Sequence, residues 1–381
     1  MPPPCSLCLC GGFSFNSFIT DNIEDAQIVE AFSHPIRRAN PFSTTSAVIA
    51  ATSSRRYNSA PGMKSDPNNR SRVHALLNGI LLPITTPFLA DGALDFPGLR
   101  TNIAKWNETG VSGYVVLGST GERVHLDESE ALETIKTARE AVSGSQLFIA
   151  GCGQQSTVGT VKEIKRIATA AAVDAVLVLT PHFYRAAITQ DALIQHYQQV
   201  ADESPVPVLL YSMPVLTGIT INAETVARLS EHENIIGLKD SSNDVAGLQQ
   251  TVRQVDEEFA VLTGNGTVLC DALLAGACGA ILAVGCVAPA LCLAILDAIR
   301  SGHEERATKL QSSLTPLAAA VTTRFGIGGL KAALEMIGYA GGVVRAPLRM
   351  PDADARKEIQ QCLEDAKNAL QDYSVSTPLS A

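Results

Sequence analysis

Lys239 follows the apolar run Ile235-Ile236-Gly237-Leu238, so its stem is expected inside a packed core. Lysine is seldom buried without a partner, and apolar surroundings favour the neutral amine, the form that attacks a carbonyl carbon. The same placement also fits a structural ion pair with Asp240 or with Glu122. Tyr211, 28 positions earlier, closes another apolar run just before Ser212-Met213-Pro214. A phenol there can pass a proton, and a buried structural tyrosine reads the same way. The third cluster is Gly118-Ser119-Thr120-Gly121-Glu122. Its paired glycines let backbone N–H groups converge and its two hydroxyls add donors, which suits a carboxylate or a phosphate. An ordinary tight turn is the commoner meaning of such glycines.

Positioning these groups requires strands. From Gly79 onward, short apolar runs alternate with helical patterns at the spacing of βα units. Eight runs are expected as strands: Ile80 to Thr85, Tyr114 to Leu117, Leu147 to Ala150, Ala175 to Leu179, Val208 to Tyr211, Ile235 to Leu238, Phe259 to Thr263, and Ala280 to Val284. Continuous buried runs favour a closed (β/α)8 TIM barrel over an open sheet, and such barrels carry their chemistry at the C-terminal ends of the strands. All three clusters fall there. The barrel is expected over residues 73–288. Beyond it Pro289 to Arg300, His303 to Ala318, Gly328 to Ile337 and Asp352 to Gln371 are helical in pattern. They give a C-terminal helical extension over 289–381 that closes one side or builds an oligomer contact.

The bulk composition narrows the partners. With 46% hydrophobic and 18% charged residues the chain can bury a large core, and its formal net charge of −9 offers no basic face to nucleic acid phosphates. Nine cysteines, irregularly spaced apart from Cys5, Cys8 and Cys10, imply neither a disulfide framework nor a zinc site, as in a reducing compartment. Ala272 to Leu296 lacks charge and is long enough to cross a bilayer. Gly276, Gly279, Gly285 and Pro289 divide it into helix end, strand, loop and helix, so no membrane span is expected. Residues 1–72 are rich in Ser, Asn, Pro and Arg and are expected to be a disordered extension. Within it Ala31 to Ser65 has no acidic residue but carries Arg37, Arg38, Arg55 and Arg56, as a mitochondrial presequence does. Asp21, Glu24, Asp25 and Glu30 run against that pattern, and a cytoplasmic form beginning at Met63 is the alternative.

Together the three strand ends resemble the dihydrodipicolinate synthase and N-acetylneuraminate lyase family of pyruvate-dependent aldolases, over roughly Leu77 to Leu348. GVSGYVVLGSTGERVHLDESE at Gly110 to Glu130 is similar to the family's first signature, and Tyr211 to Ser242 to its second. Within the family, KDSS at Lys239 to Ser242, AVTTRFGIGGLK at Ala320 to Lys331 and GYAGGVVRAPL at Gly338 to Leu348 look most like 4-hydroxy-2-oxoglutarate aldolase, which is mitochondrial in animals. The resemblance implies a Schiff base on Lys239, proton transfer by Tyr211, a cradle for the pyruvyl carboxylate at Ser119 and Thr120, and a contact from Ser241 to a second carboxylate. It implies a small 2-oxo acid substrate, cleaved to pyruvate and glyoxylate, and a homotetramer. No metal or organic cofactor is expected, because the imine is the electron sink.

The sequence departs from the family at two places. Dihydrodipicolinate synthases carry an Arg soon after the active-site Tyr to hold the aldehyde substrate's carboxylate, where this chain has Leu216. The family's relay also uses a second Tyr, from the neighbouring subunit, where Thr180-Pro181-His182 leads to Phe183; Tyr184 and His182 stand beside it. The alternatives are therefore another pyruvate-forming 2-oxo acid lyase, dihydrodipicolinate synthase itself, or a catalytically silent barrel that binds 2-oxo acids.

Overall fold

A strand buried on both faces needs a helix over its outer face, and the chain supplies strands and helices in turn. The computed structural model describes residues 67–375. After α1 (Pro67–Leu77) come β1 (Ile80–Pro83), α2 (Phe96–Asn107), β2 (Gly113–Val116), α3 (Glu128–Ala141), β3 (Leu147–Cys152), α4 (Thr157–Ala170), β4 (Ala175–Leu179) and α5 (Gln190–Glu203). They are followed by β5 (Val208–Ser212), α6 (Pro214–Thr217), α7 (Ala223–Ser230), β6 (Ile235–Asp240), α8 (Val245–Val252), β7 (Ala260–Thr263), α9 (Leu269–Leu274), β8 (Gly279–Ile281) and α10 (Pro289–Arg300). The strands pair in parallel in chain order, and β8 returns to β1 to close the barrel.

All eight expected runs are strands. The largest difference is at β8, which stops at Ile281 and passes into a 3-10 turn over Ala283–Cys286. The stretch from Ala272 to Leu296 is thus broken as its glycines require, and among the described residues no helix is long and apolar enough to cross a membrane. Helices begin where the sequence offers caps. Asp127 accepts the Glu130 N–H while the Glu130 carboxylate accepts the Asp127 N–H, and Ser156, Thr189, Asn222 and Asp244 cap α4, α5, α7 and α8.

Alternation along the strands separates two apolar layers. Leu81, Val115, Leu147, Ile149, Leu177, Leu209 and Leu262 fill the barrel, while Leu82, Tyr114, Val116, Phe148 and Val176 pack under the helices. The barrel filling includes Val73 and Leu77 of α1. The described helix α1 thus spans the boundary expected at residue 72, with Val73 and Leu77 covered by the barrel's N-terminal end and Arg72 paired with Asp174 at 2.8 Å. The rest of the expected extension and presequence, residues 1–66, lies outside the described residues. α10, which begins at the expected start of the extension, packs against β1 and α9 beside the barrel. The extension proper is α11 (Glu304–Ala319), a π-helical turn over Ala320–Arg324, α12 (Gly326–Met336) and α13 (Ala353–Val375).

Candidate active site

An irregularity in one strand pair decides where Lys239 points. Val208 of β5 pairs with Ile235, but Leu209 pairs with Gly237, so Ile236 is the extra residue of a bulge. Ile236 faces the barrel interior and Leu238 the helix layer, although strict alternation would put residues two apart on the same face. A one-residue slip turns every later side chain to the other face. Lys239 therefore points inward, directly opposite Tyr211 in the β5–β6 ladder. Gly237 permits the bulge, since a Cβ there would stand 2.4 Å from the Ala260 carbonyl oxygen.

Lys239 and Tyr211 are both 5% exposed, and the Lys239 Nζ lies 4.5 Å from the Tyr211 ring centroid. Neither carboxylate considered as its structural partner reaches it. Asp240 accepts the Ser242 N–H at 2.7 Å, and burial raises its carboxyl above the usual range against the pull of that hydrogen bond. Glu122 is paired instead with Lys331, at 2.5 Å. Among the described residues Lys239 thus has no ion pair, and its neighbour is the face of a phenol.

Two of the other three expected residues, Ser119 and Ser241, gather around this pair. The Tyr211 hydroxyl and the Ser119 Oγ are 3.3 Å apart. Ser241 meets Lys239 across Gly264: a Cβ on Gly264 would lie 2.0 Å from the Ser241 Oγ and 2.6 Å from the Lys239 Cε. Gly264 was missed by sequence reasoning, because it stands one residue past β7 and nothing local shows that two side chains from another strand fill the space of its absent Cβ. Thr120 shares the turn with Ser119 but has no hydrogen bond to Tyr211, Lys239 or Ser241 among the described residues.

The turn itself is a single 3-10 loop, closed by Gly121 N–H to Gly118 O (3.0 Å) and Glu122 N–H to Ser119 O (3.2 Å). Neither bond uses the Ser119 or Thr120 amide, so both remain as donors beside their hydroxyls. Leu117 (φ 55°) and Glu122 (φ 52°) bracket the loop in left-handed conformations, each costing a non-glycine residue about 1–2 kcal/mol. That strain is held from outside. Gly151 of β3 leaves room for the Leu117 carbonyl, which a Cβ would meet at 2.3 Å. The Lys331 ammonium anchors Glu122; burial draws that ammonium below the usual lysine value and the Glu122 carboxylate opposes the shift. Removing one member of such a pair strands a buried charge, at about 3–5 kcal/mol.

The loops above the mouth hold the two departures. Phe183 and Tyr184 are 74% and 71% exposed, pack edge to face at 5.1 Å, and make no hydrogen bond or ring contact with Tyr211 or Lys239 among the described residues. Gln155, also missed, ties this loop down: its Oε1 accepts from the His182 and Phe183 amides at 2.9 and 2.8 Å. The His182 ring turns back to the Thr180 carbonyl at 3.1 Å. Leu216 is exposed beside Val215, and the Arg185 side chain lies against Gly218 just beyond.

Residues 76–366, which hold all of these groups, match the sequence profile of the Dihydrodipicolinate synthetase family. The chain belongs to that family. A 4-hydroxy-tetrahydrodipicolinate synthase of Syntrophus aciditrophicus is 33% identical over 290 residues, covering 76% of this chain and 98% of that protein. The structure of the 4-hydroxy-tetrahydrodipicolinate synthase from Methylacidiphilum fumariolicum SolV is similar with a TM-score of 0.73 at 27% identity, covering 77% of this chain and 97% of that one. A prophage protein of the family from E. coli K12, solved in complex with pyruvate, is similar with a TM-score of 0.70 at 30% identity, covering 76% and 98%. As a member of this family the protein is a carbon–carbon lyase of the pyruvate-dependent class.

Proposed function

We propose that the protein cleaves 4-hydroxy-2-oxoglutarate to pyruvate and glyoxylate through a Schiff base on Lys239. The observation that carries this reading is the Lys239 amine, buried at the strand ends without an ion pair and set against the Tyr211 ring. Its nitrogen attacks C2 of the oxo acid, and loss of water leaves a protonated imine that draws electrons from C3. As the 4-hydroxyl gives up its proton, the C3–C4 bond breaks, glyoxylate leaves, and the electron pair stays on the imine as an enamine. Protonation at C3 and hydrolysis return pyruvate and the free amine. Tyr211, hydrogen-bonded to Ser119, moves protons in these steps. The Ser119 and Thr120 amides and hydroxyls hold the pyruvyl carboxylate. Ser241, beside the Lys239 stem, serves the distal carboxylate.

The substrate rests on the motifs at Lys239 to Ser242, Ala320 to Lys331 and Gly338 to Leu348, and on Leu216 standing where the synthases place an Arg. The named relatives favour a second reading, 4-hydroxy-tetrahydrodipicolinate synthase activity. Borohydride treatment with pyruvate followed by mass spectrometry is expected to give a stable adduct on Lys239. Its absence from folded protein would mean a silent binding barrel. Rates with 4-hydroxy-2-oxoglutarate, sugar-derived 2-oxo acids and the synthase substrates then select among the lyases.

The same proposal includes assembly and address. Phe183 and Tyr184 on the loop after β4 and Val215 and Leu216 on α6 are exposed, a surface suited to a second copy of the chain. Light scattering at the tetramer mass would agree, and a monomer would not. The acid-free, Arg-bearing stretch from Ala31 to Ser65 supports a mitochondrial address, tested by imaging a fluorescent fusion.

A further inference from the structure

Glu122 is wholly buried and held from three sides. The Lys331 Nζ lies 2.5 Å from its Oε1, and the His125 Nδ1 and the Arg345 N–H each lie 3.1 Å from its Oε2. Lys331 comes from α12 in the C-terminal extension and is itself without exposed surface. Its ammonium donates to the Val343 carbonyl at 2.6 Å and stands 4.3 Å from the Phe88 ring centroid, so little else in its surroundings balances its charge. Arg345 grips Glu130 with two nitrogens and also donates to the Gly92 and His125 carbonyls. Glu122 is the residue whose left-handed backbone ends the turn carrying Ser119 and Thr120. None of these groups touches Lys239 or Tyr211.

We propose that Lys331 is a positioning residue for the substrate carboxylate, acting through Glu122 to hold the Ser119–Gly121 turn in its strained, donor-presenting form. Without the ammonium, the Glu122 carboxylate keeps His125 and the Arg345 N–H at its Oε2 but has its Oε1 unpaired in a dry site, which opening the turn to water relieves. That opening lets the left-handed residue relax and turns the Ser119 and Thr120 amides away from where a carboxylate would sit. The C-terminal extension is then part of the binding machinery, although it supplies no group that meets the substrate. The loss should fall on pyruvate affinity and leave the chemistry at Lys239 in place.

This inference rests on the proposed function only in taking the turn as the carboxylate cradle. The test uses the full chain and its Lys331→Met, Glu122→Gln and doubly substituted forms. Calorimetric titration with pyruvate reads affinity, and borohydride trapping at saturating pyruvate reads the rate of adduct formation. Lys331→Met should weaken pyruvate binding about tenfold or more, equivalent to about 1.4 kcal/mol, while the saturated trapping rate stays within about threefold. The double form should bind no worse than the weaker single one, because the pair acts as a unit. Parent-like affinity in folded Lys331→Met, or a loss confined to the trapping rate, overturns the proposal. Should Lys331→Met not fold, the double form, which leaves no buried charge unpaired, takes its place under the same criteria. A parent that binds pyruvate without a trapped adduct sinks the Schiff base, and the affinities still decide on Lys331. A parent that does not bind pyruvate overturns both.

Discussion

The Tyr211 hydroxyl and the Ser119 Oγ are one hydrogen bond apart, at 3.3 Å, and either can be the donor. That contact joins the end of β5 to the turn after β2, so a proton on the phenol has a neighbour to pass to while the Tyr211 ring faces the Lys239 amine at 4.5 Å. Tyr211→Phe keeps the ring and removes the hydroxyl. Turnover should fall about 10²-fold or more, with pyruvate still trapped on Lys239 at reduced speed. Steady-state rates and timed borohydride quenching measure the two effects, and an unchanged rate would assign the proton transfers to another group.

Lys239→Arg retains a long cationic side chain against the Tyr211 ring, yet guanidinium remains protonated and forms no imine. The variant should fold and lose both turnover and adduct. Activity near the parent level would end the Schiff-base mechanism.

Gly264 is the floor on which the Lys239 stem and Ser241 meet, with no room for a methyl group. Gly264→Ala should cost about 1–3 kcal/mol of stability through overpacking and slow adduct formation on Lys239. Denaturant unfolding and trapping together check this; parent-like values in both would mean that the surroundings yield freely.

Phe183 and Tyr184 lie on an exposed loop with no hydrogen bond or ring contact to Tyr211 among the described residues. Tyr184→Phe should therefore leave turnover within about threefold, and Phe183→Tyr, which restores a hydroxyl that the family uses, should raise it or leave it unchanged. A drop of about 10²-fold in Tyr184→Phe would place its hydroxyl in the relay of an assembled enzyme. Loss of activity in folded Phe183→Tyr would instead make that position a shaped apolar contact and reopen the choice of substrate.

His196 is buried between α4 and α5, with its Nδ1 at 2.9 Å from the Thr157 hydroxyl, no partner for its Nε2, and the Tyr197 ring edge-on at 5.1 Å. Burial lowers its pKa from 6.5 to about 4. Between those values the unfolded chain binds the proton and the folded chain does not, so the contribution to stability is complete above about pH 6.5 and is lost as pH falls toward 4. The full effect is at most about 3 kcal/mol. Unfolding of the parent and of His196→Gln at pH 7.5 and 4.5 should show a smaller acid loss in the variant; equal losses would remove His196 from the account.

The sequence alone determined the barrel, because a strand buried on both faces must be a continuous apolar run, and such runs recur at the spacing that helices between them require. It also placed Lys239, Tyr211 and the Gly118–Glu122 cluster at strand ends, which in a closed parallel barrel all open on the same side. What it could not determine depends on pairing across strands. The bulge at Ile236 turns Lys239 inward, and a bulge is a property of the ladder between two strands. The partner of Glu122 is Lys331 rather than Lys239, a choice made only when α12 docks beside the turn. Gly264 and Gly151 must be glycine because of atoms that other strands bring to them. The docking of α1 follows from the apolar cover that the finished barrel gives to Val73 and Leu77. Periodicity is written locally in the chain and can be read there; register, ion-pair choice and close approach are fixed by residues distant in sequence, and they exist only once the barrel has closed.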